Sequence, residues 1–429
     1  MTIQRFSLLN YGLLAFPIAF AGLPIYIHAP DFYATELGIP LASIGFVLLL
    51  LRVIDAIQDP IIGTLSDRFH RQRFSIVLIG IVLLGVGFWM VFHPNPAYPL
   101  TWLAVSMIVC TTGFSITIIN LQAAGGLWRV SSEERTRVAS VREALGLIGL
   151  LAASVIPAVL VQRYQPAHAF HLLTLLYLPI LGACAFVFFR WLRDARLARP
   201  ESSFPITFSE LWNTAWLRRF MLVYGLSTFA SSIPGVLVLF FIRDHLQAEE
   251  QTGLFLLLYF LSGALAMPLW QKIARKRSKH YAWCMSMALA CLTFVWAFML
   301  APGDIWAFAA ICLLSGIAFG ADLALPPAII ADHIAIMRHE RAASRYYALL
   351  AFFSKAALAL ATGIMLPALG LAGYQPGHID HSGALPIAYA LIPCMIKLSA
   401  ALLLMLSPIL TKGENHEKNL IRYRSRYAA

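Results

Sequence analysis

Leu51-Arg52-Val53-Ile54-Asp55-Ala56-Ile57-Gln58-Asp59-Pro60 lies inside an apolar run long enough to cross a bilayer, yet it carries three ionisable side chains. Arg52, Asp55 and Asp59 fall at i, i+3 and i+7, so a helix projects all three from one face. A charge at the bilayer centre costs about 3 kcal/mol on insertion scales. Such groups persist where they face a protein interior or a water-filled path, paired with one another and tied to a function. The stretch therefore predicts a membrane-embedded helix with a charged, inward face.

The rest of the chain agrees. Of its 429 residues 60% are hydrophobic and 12% charged, with a mean hydropathy of +0.74. A soluble protein carries about twice that charged fraction. Twelve apolar stretches are long enough for a hydrocarbon core of about 30 Å. They lie near 6–28, 39–64, 74–94, 99–124, 139–162, 168–190, 217–242, 251–271, 280–301, 304–332, 343–370 and 384–411. The first has no small-residue cleavage site and runs into polytopic sequence, so it is expected to be a retained helix rather than a signal peptide.

The net charge of +11 is a matter of topology. Arg68, Arg71 and Arg73 follow the second span, Arg129, Arg135 and Arg137 the fourth, and Arg190, Arg193 and Arg196 the sixth. Lys272, Arg275 and Lys276 follow the eighth, Arg338 and Arg341 the tenth, while the opposite loops are poor in Lys and Arg. By the positive-inside rule both termini are expected in the cytoplasm, and no nucleic-acid partner is implied. Six cysteines sit singly in apolar spans without metal spacing, so they read as small core hydrophobes. The sequence has no phosphate-binding GxxxxGK[ST] and no enzyme active site, and no cofactor is expected.

The longest polar interruption, Arg193 to Trp216, divides six spans from six. An all-α membrane fold follows, with an N-terminal six-helix bundle over 1–192, a linker over 193–216, a second bundle over 217–412 and a basic tail over 413–429. This layout, together with Gly63-Thr64-Leu65-Ser66-Asp67-Arg68-Phe69-His70-Arg71 after the second span, resembles the major facilitator superfamily and its loop signature. The twelve-helix, two-bundle fold is what that resemblance implies. Asp67 and Arg68 are open to two readings, a solvated loop pair or a latch that gates one face.

A narrower resemblance rests on Arg52-x-x-Asp55-Ala56-x-x-Asp59-Pro60-x-x-Gly63, on Leu9-Asn10-Tyr11-Gly12, and on Ser354-Lys355 with Gly370-Leu371-Ala372-Gly373-Tyr374-x-Pro376. These are similar to the glycoside–pentoside–hexuronide:cation symporters. The family implies a monovalent cation site built from Asp55, Asp59, Gln58 and Thr117, with sodium or a proton as the co-transported ion. Gln58 stands where the family's sodium users have Asn, so both ions stay open. The family also implies a coupling role for Lys355, placed beside the acids, with Arg52 on the same helical face as them. Arg142 aligns with a fifth-helix arginine and is open to a coupling role or to a plain helix start.

The family's two sugar-binding acids are missing, because Ala19 and Asn120 occupy those positions. Tyr26, Asn120, Gln122 and Asp322 remain as candidate solute contacts. Asp322 precedes the Pro326-Pro327 pair inside the tenth span, as in a broken helix lining a cavity. Lys397 in the last span is open to snorkelling at the lipid face or packing on Asp322. The resulting expectation is a monomeric, multi-pass transporter of a bacterial inner membrane, coupling a monovalent cation to a small organic solute by alternating access. The alternative on the same scaffold is a proton-driven exporter or a mover of lipid-like solutes.

Overall fold

A computed structural model describes residues 5–198, 207–375, 377, 383–407 and 409–410. Most of the central part of the linker (199–206), Pro376 of the quoted motif and the basic tail lie outside the described residues.

Helices dominate throughout. Among the described residues, eleven helices are long and apolar enough to span a membrane: α1 (Phe6–Thr35), α3 (His70–Val91), α4 (Pro99–Gly126), α5 (Ser132–Arg163), α6 (Pro166–Asp194), α7 (Ala215–His245), α8 (Glu249–Lys276), α9 (Lys279–Met299), α10 (Ile305–Met337), α11 (Glu340–Leu371) and α12 (Ala384–Met405). The remaining long helix, α2 (Leu41–Arg68), has 28 residues, about 42 Å at 1.5 Å per residue, and carries the charged stretch. The twelve apolar runs of the sequence thus each become one helix.

Their ends differ from the hydropathy boundaries for local reasons. α5 begins at Ser132 rather than near 139 because Ser131 and Glu134 form a reciprocal capping box. That box satisfies backbone donors of the first turn in a stretch too polar to count as apolar. α1 continues to Thr35 through a π-helical turn at Pro24–His28. Pro24, inside α1, cannot donate to the carbonyl four residues back, and the helix takes π spacing from that point.

The chain divides into two compact units. One comprises 1–205 with 338–355, the other 206–337 with 356–429. In the first, Tyr11, Trp128 and Trp191 form an aromatic knot with ring centroids 4.8–6.0 Å apart, and the Tyr11 hydroxyl donates to the Leu121 carbonyl. α3 and α4 approach so closely that a Cβ on Gly113 would lie 2.2 Å from the Leu84 nitrogen. In the second unit, Phe241, Phe255, Phe308 and Tyr389 build a buried core.

The sequence alone puts residues 338–355 in the second half of the chain. Their place in the first unit follows from α2. A Cβ on Gly63 would lie 2.5 Å from the Ala348 Cβ and 2.9 Å from the Ser344 carbonyl oxygen. Glycine at 63 lets the start of α11 lie directly against α2, and Ile62, Ile119 and Ala348 form a small apolar cluster there. Asp55, Asp59, Gly63 and Asp67 are spaced at i+4, so the same face of α2 meets α11 along its length.

Candidate functional site

Two carboxylates of α2 converge on one ammonium group of α11. Lys355 Nζ lies 2.8 Å from Asp55 Oδ1 and 2.9 Å from Asp59 Oδ1, and donates to Ser115 Oγ of α4 at 2.8 Å. Asp59 is fully buried and Asp55 is 7% exposed. Pairing explains how both survive in an apolar helix, since an isolated buried charge would be costly. Asp59 Oδ2 is left buried without a hydrogen-bond partner.

Gln58 closes the other side of the cluster. Its amide nitrogen donates to Asp55 Oδ1 at 2.7 Å, and its amide oxygen accepts from Thr112 Oγ1 at 2.9 Å. Asp55, Gln58, Asp59, Thr112, Ser115 and Lys355 thus form one network of oxygen-rich side chains inside the first unit. Thr117 is not part of it. Two residues beyond Ser115, it sits about 200° around α4, donates to the Gly113 carbonyl at 2.7 Å and packs toward Gly80 of α3. The hydroxyls beside the acids are Thr112 and Ser115, which the family pattern did not single out. Their i, i+3 spacing was the available signal.

Arg52 makes no salt bridge to the acids among the described residues, and its guanidinium lies 5.7 Å from the centre of the Tyr26 ring. Tyr26 itself sits in the π-helical turn of α1, a local widening that often marks functional positions. Arg142 is buried and pairs with its neighbour Glu143, so it stands apart from Lys355 in this network. Asn120 is fully buried, donating to Ser66 Oγ at 2.9 Å and to the Ile116 carbonyl. The Gln122 amide oxygen is buried without a hydrogen-bond partner.

Asp67 is not a solvated loop residue. Only 4% exposed, it accepts the backbone N–H groups of Ser344 at 2.8 Å and Arg345 at 3.0 Å. A carboxylate on the first turn of a helix satisfies orphan donors and the positive end of the helix dipole. Arg68 is exposed, with its guanidinium over the Phe69 ring. Asp67→Asn keeps the shape but removes the charge, and should lower stability by about 1–2 kcal/mol. Thermal unfolding in detergent, with Arg68→Gln as a near-neutral control, measures it.

In the second unit, Lys397 of α12 pairs with Asp322 of α10 and donates to Ser231 Oγ at 2.6 Å. Asp322 also accepts from Trp283 Nε1 at 2.9 Å. Of the two readings of Lys397, packing on Asp322 is therefore the one observed. α10 remains helical through Pro326 and Pro327, so the double proline does not break the helix beside Asp322.

Comparison with known proteins places this geometry. Residues 9–411 match the model of the family described as MFS/sugar transport protein. The chain belongs to that family. A relative in this major facilitator group is the uncharacterized symporter YjmB of Bacillus subtilis (strain 168), 22% identical over 404 residues, spanning 90% of this chain and 88% of the relative. Among solved structures, a bacterial homologue of the iron transporter ferroportin in an outward-facing state superposes with a TM-score of 0.69 at 17% identity, covering 96% of this chain and 100% of that one. The Escherichia coli fucose:proton symporter FucP gives 0.63 at 12% identity, covering 93% and 98%. At those identities the likeness establishes the twelve-helix major facilitator fold. The protein is a multi-pass membrane transporter and not an enzyme.

Proposed function

We propose that this transporter couples the movement of a monovalent cation, sodium or a proton, to that of a small organic solute by alternating access. The observation that carries the reading is Lys355 Nζ seated between Asp55 and Asp59 at 2.8 and 2.9 Å. The ammonium occupies the place where a monovalent cation would neutralise the same two carboxylates. Ser115 supplies a neutral oxygen beside the acids, and Gln58 would add a second on turning its amide oxygen, rather than its nitrogen, toward Asp55.

The cycle follows from electrostatics. With no cation, Lys355 ties α11 to α2. A cation on Asp55 and Asp59 releases the ammonium, so α11 changes partners only in the loaded protein. Coupling arises because burying the acids unneutralised would cost several kcal/mol. The Asp67 contact with the start of α11 acts as a latch on the same helix pair, and a few kcal/mol between latched and released states suffices for gating. The candidate solute contacts are Tyr26, Asn120 and Gln122 in the first unit and, separately, Asp322 in the second. The protein is placed in a bacterial inner membrane with both termini in the cytoplasm, on the strength of its Arg-rich loops.

The test is uptake into sealed vesicles across a panel of glycosides and organic anions, with sodium and pH gradients imposed separately. One gradient is expected to drive accumulation, and Asp59→Cys is expected to abolish it while the protein still assembles in the membrane. Concentrative uptake by Asp59→Cys at the normal rate, or gradient-driven expulsion in place of uptake, overturns the proposal.

A further inference from the structure

At the Arg-rich end of the first unit, the chain leaving α6 crosses back over the end of α4. Trp128 and Leu197 form an antiparallel bridge. The Arg129 N–H donates to the Arg196 carbonyl at 3.0 Å, and the Ala198 N–H to the Leu127 carbonyl at 2.7 Å. Beside this bridge lies a cavity of about 1450 Å³ whose wall, among the described residues, carries seven arginines and a single acid, Glu340. Arg71, Arg129, Arg190 and Arg196 have no acid partner among the described residues.

Arg73 also lines the wall. It is 6% exposed, yet its Nη1 is buried without a hydrogen-bond partner, while Nη2 reaches Ser344 Oγ at 3.5 Å. Its charge is balanced from within the chain by the buried carboxylate of Asp67, so the positive excess of the cavity rests on Arg71, Arg129, Arg190 and Arg196. Aromatic side chains also line the cavity. Phe74 is 50% and Phe186 69% exposed, and the Phe74 and Phe189 rings lie 4.3 Å apart. Guanidinium groups lining one cavity with exposed aromatic rings match a phosphate with hydrocarbon attached, because the fork of an arginine suits phosphate oxygens. Basic pockets at this level of a membrane bind lipid head groups. Inorganic phosphate would fill little of the volume and leave the rings uncovered.

We propose that this cavity holds the phosphate-bearing head group of an anionic phospholipid, with Arg71, Arg129, Arg190 and Arg196 around the phosphate and the acyl chains over Phe74 and Phe186. The site is separate from the Asp55–Lys355 network and stands whether or not cation coupling does.

Full-length protein, stripped of lipid in a neutral detergent, is titrated with phosphatidylglycerol, phosphatidylcholine or inorganic phosphate. Bound lipid is counted by native mass spectrometry, and thermal stability is followed in parallel. Phosphatidylglycerol is expected to bind saturably and raise the melting temperature, phosphatidylcholine and phosphate to do neither. R190Q/R196Q, and independently R71Q/R129Q, should weaken retention of phosphatidylglycerol by about tenfold or more. R218Q/R219Q, on exposed arginines at the start of α7, should leave it unchanged. Equal retention by both pocket variants and the wild type overturns the proposal. So does stabilisation by phosphate or phosphatidylcholine that equals that of phosphatidylglycerol.

Discussion

Lys355→Met should abolish cation-coupled accumulation while making the acid pair hold its cation more tightly. The two effects share one cause. In the native protein the ammonium at 2.8 and 2.9 Å from Asp55 and Asp59 competes with any cation for the same oxygens. Removing one partner of a buried ion pair leaves an uncompensated charge and costs about 3–5 kcal/mol. Here the loss is concentrated in the cation-free state, because a bound ion restores neutrality. The cation concentration for half-maximal thermal stabilisation should therefore fall at least about tenfold, the equivalent of 1.4 kcal/mol. Melting curves of purified Lys355→Met over a sodium series at fixed pH, and over pH without sodium, measure the shift and name the ion. Lys355→Arg keeps a charge but presents a planar fork in place of a compact ammonium, so it should restore stability without restoring transport. If Lys355→Met melts lower than the wild type by the same amount at every sodium concentration and every pH, the lysine is a structural tie and the coupling role fails.

Much of this site was legible before any coordinates. Charges inside an apolar helix announce themselves, and i+4 spacing puts Asp55 and Asp59 on one face; the approach of Lys355 to them was implied by the family resemblance alone, and the ammonium does lie between them. Thr117 shows where that reasoning stops. A helical position cannot be moved by two residues without turning the side chain to the far side, and Ser115 rather than Thr117 reaches the acids. The partner of Asp67 lies 277 residues away in the chain, a contact that no local pattern encodes. Gly63 carried the only hint of it, since a glycine in a membrane helix allows close approach of another backbone. The placement of residues 338–355 with the first unit follows from that contact. The choice between two readings of Lys397 likewise needed its acid partner, which sits 75 residues earlier.

That second pair supports the remaining large effect. Asp322→Ala should destabilise the protein by about 3–5 kcal/mol, because Lys397, 5% exposed, would keep only Ser231 Oγ and the Ser227 carbonyl as acceptors. The double variant Asp322→Ala with Lys397→Met should recover most of that loss, since replacing a whole buried ion pair with apolar groups is often neutral or stabilising. Thermal unfolding of both singles and the double closes the cycle, and Trp283, which donates to Asp322 at 2.9 Å, gives a local fluorescence readout. Transport then separates scaffold from pathway. A pair that only holds α10 to α12 would leave the stable double variant active, whereas a pair on the solute route would leave it folded and inactive. With Asp322 a candidate solute contact, the second outcome is expected. An active double variant removes Asp322 from those candidates and leaves the Asp55–Asp59–Lys355 network as the remaining buried charge cluster proposed to act in transport.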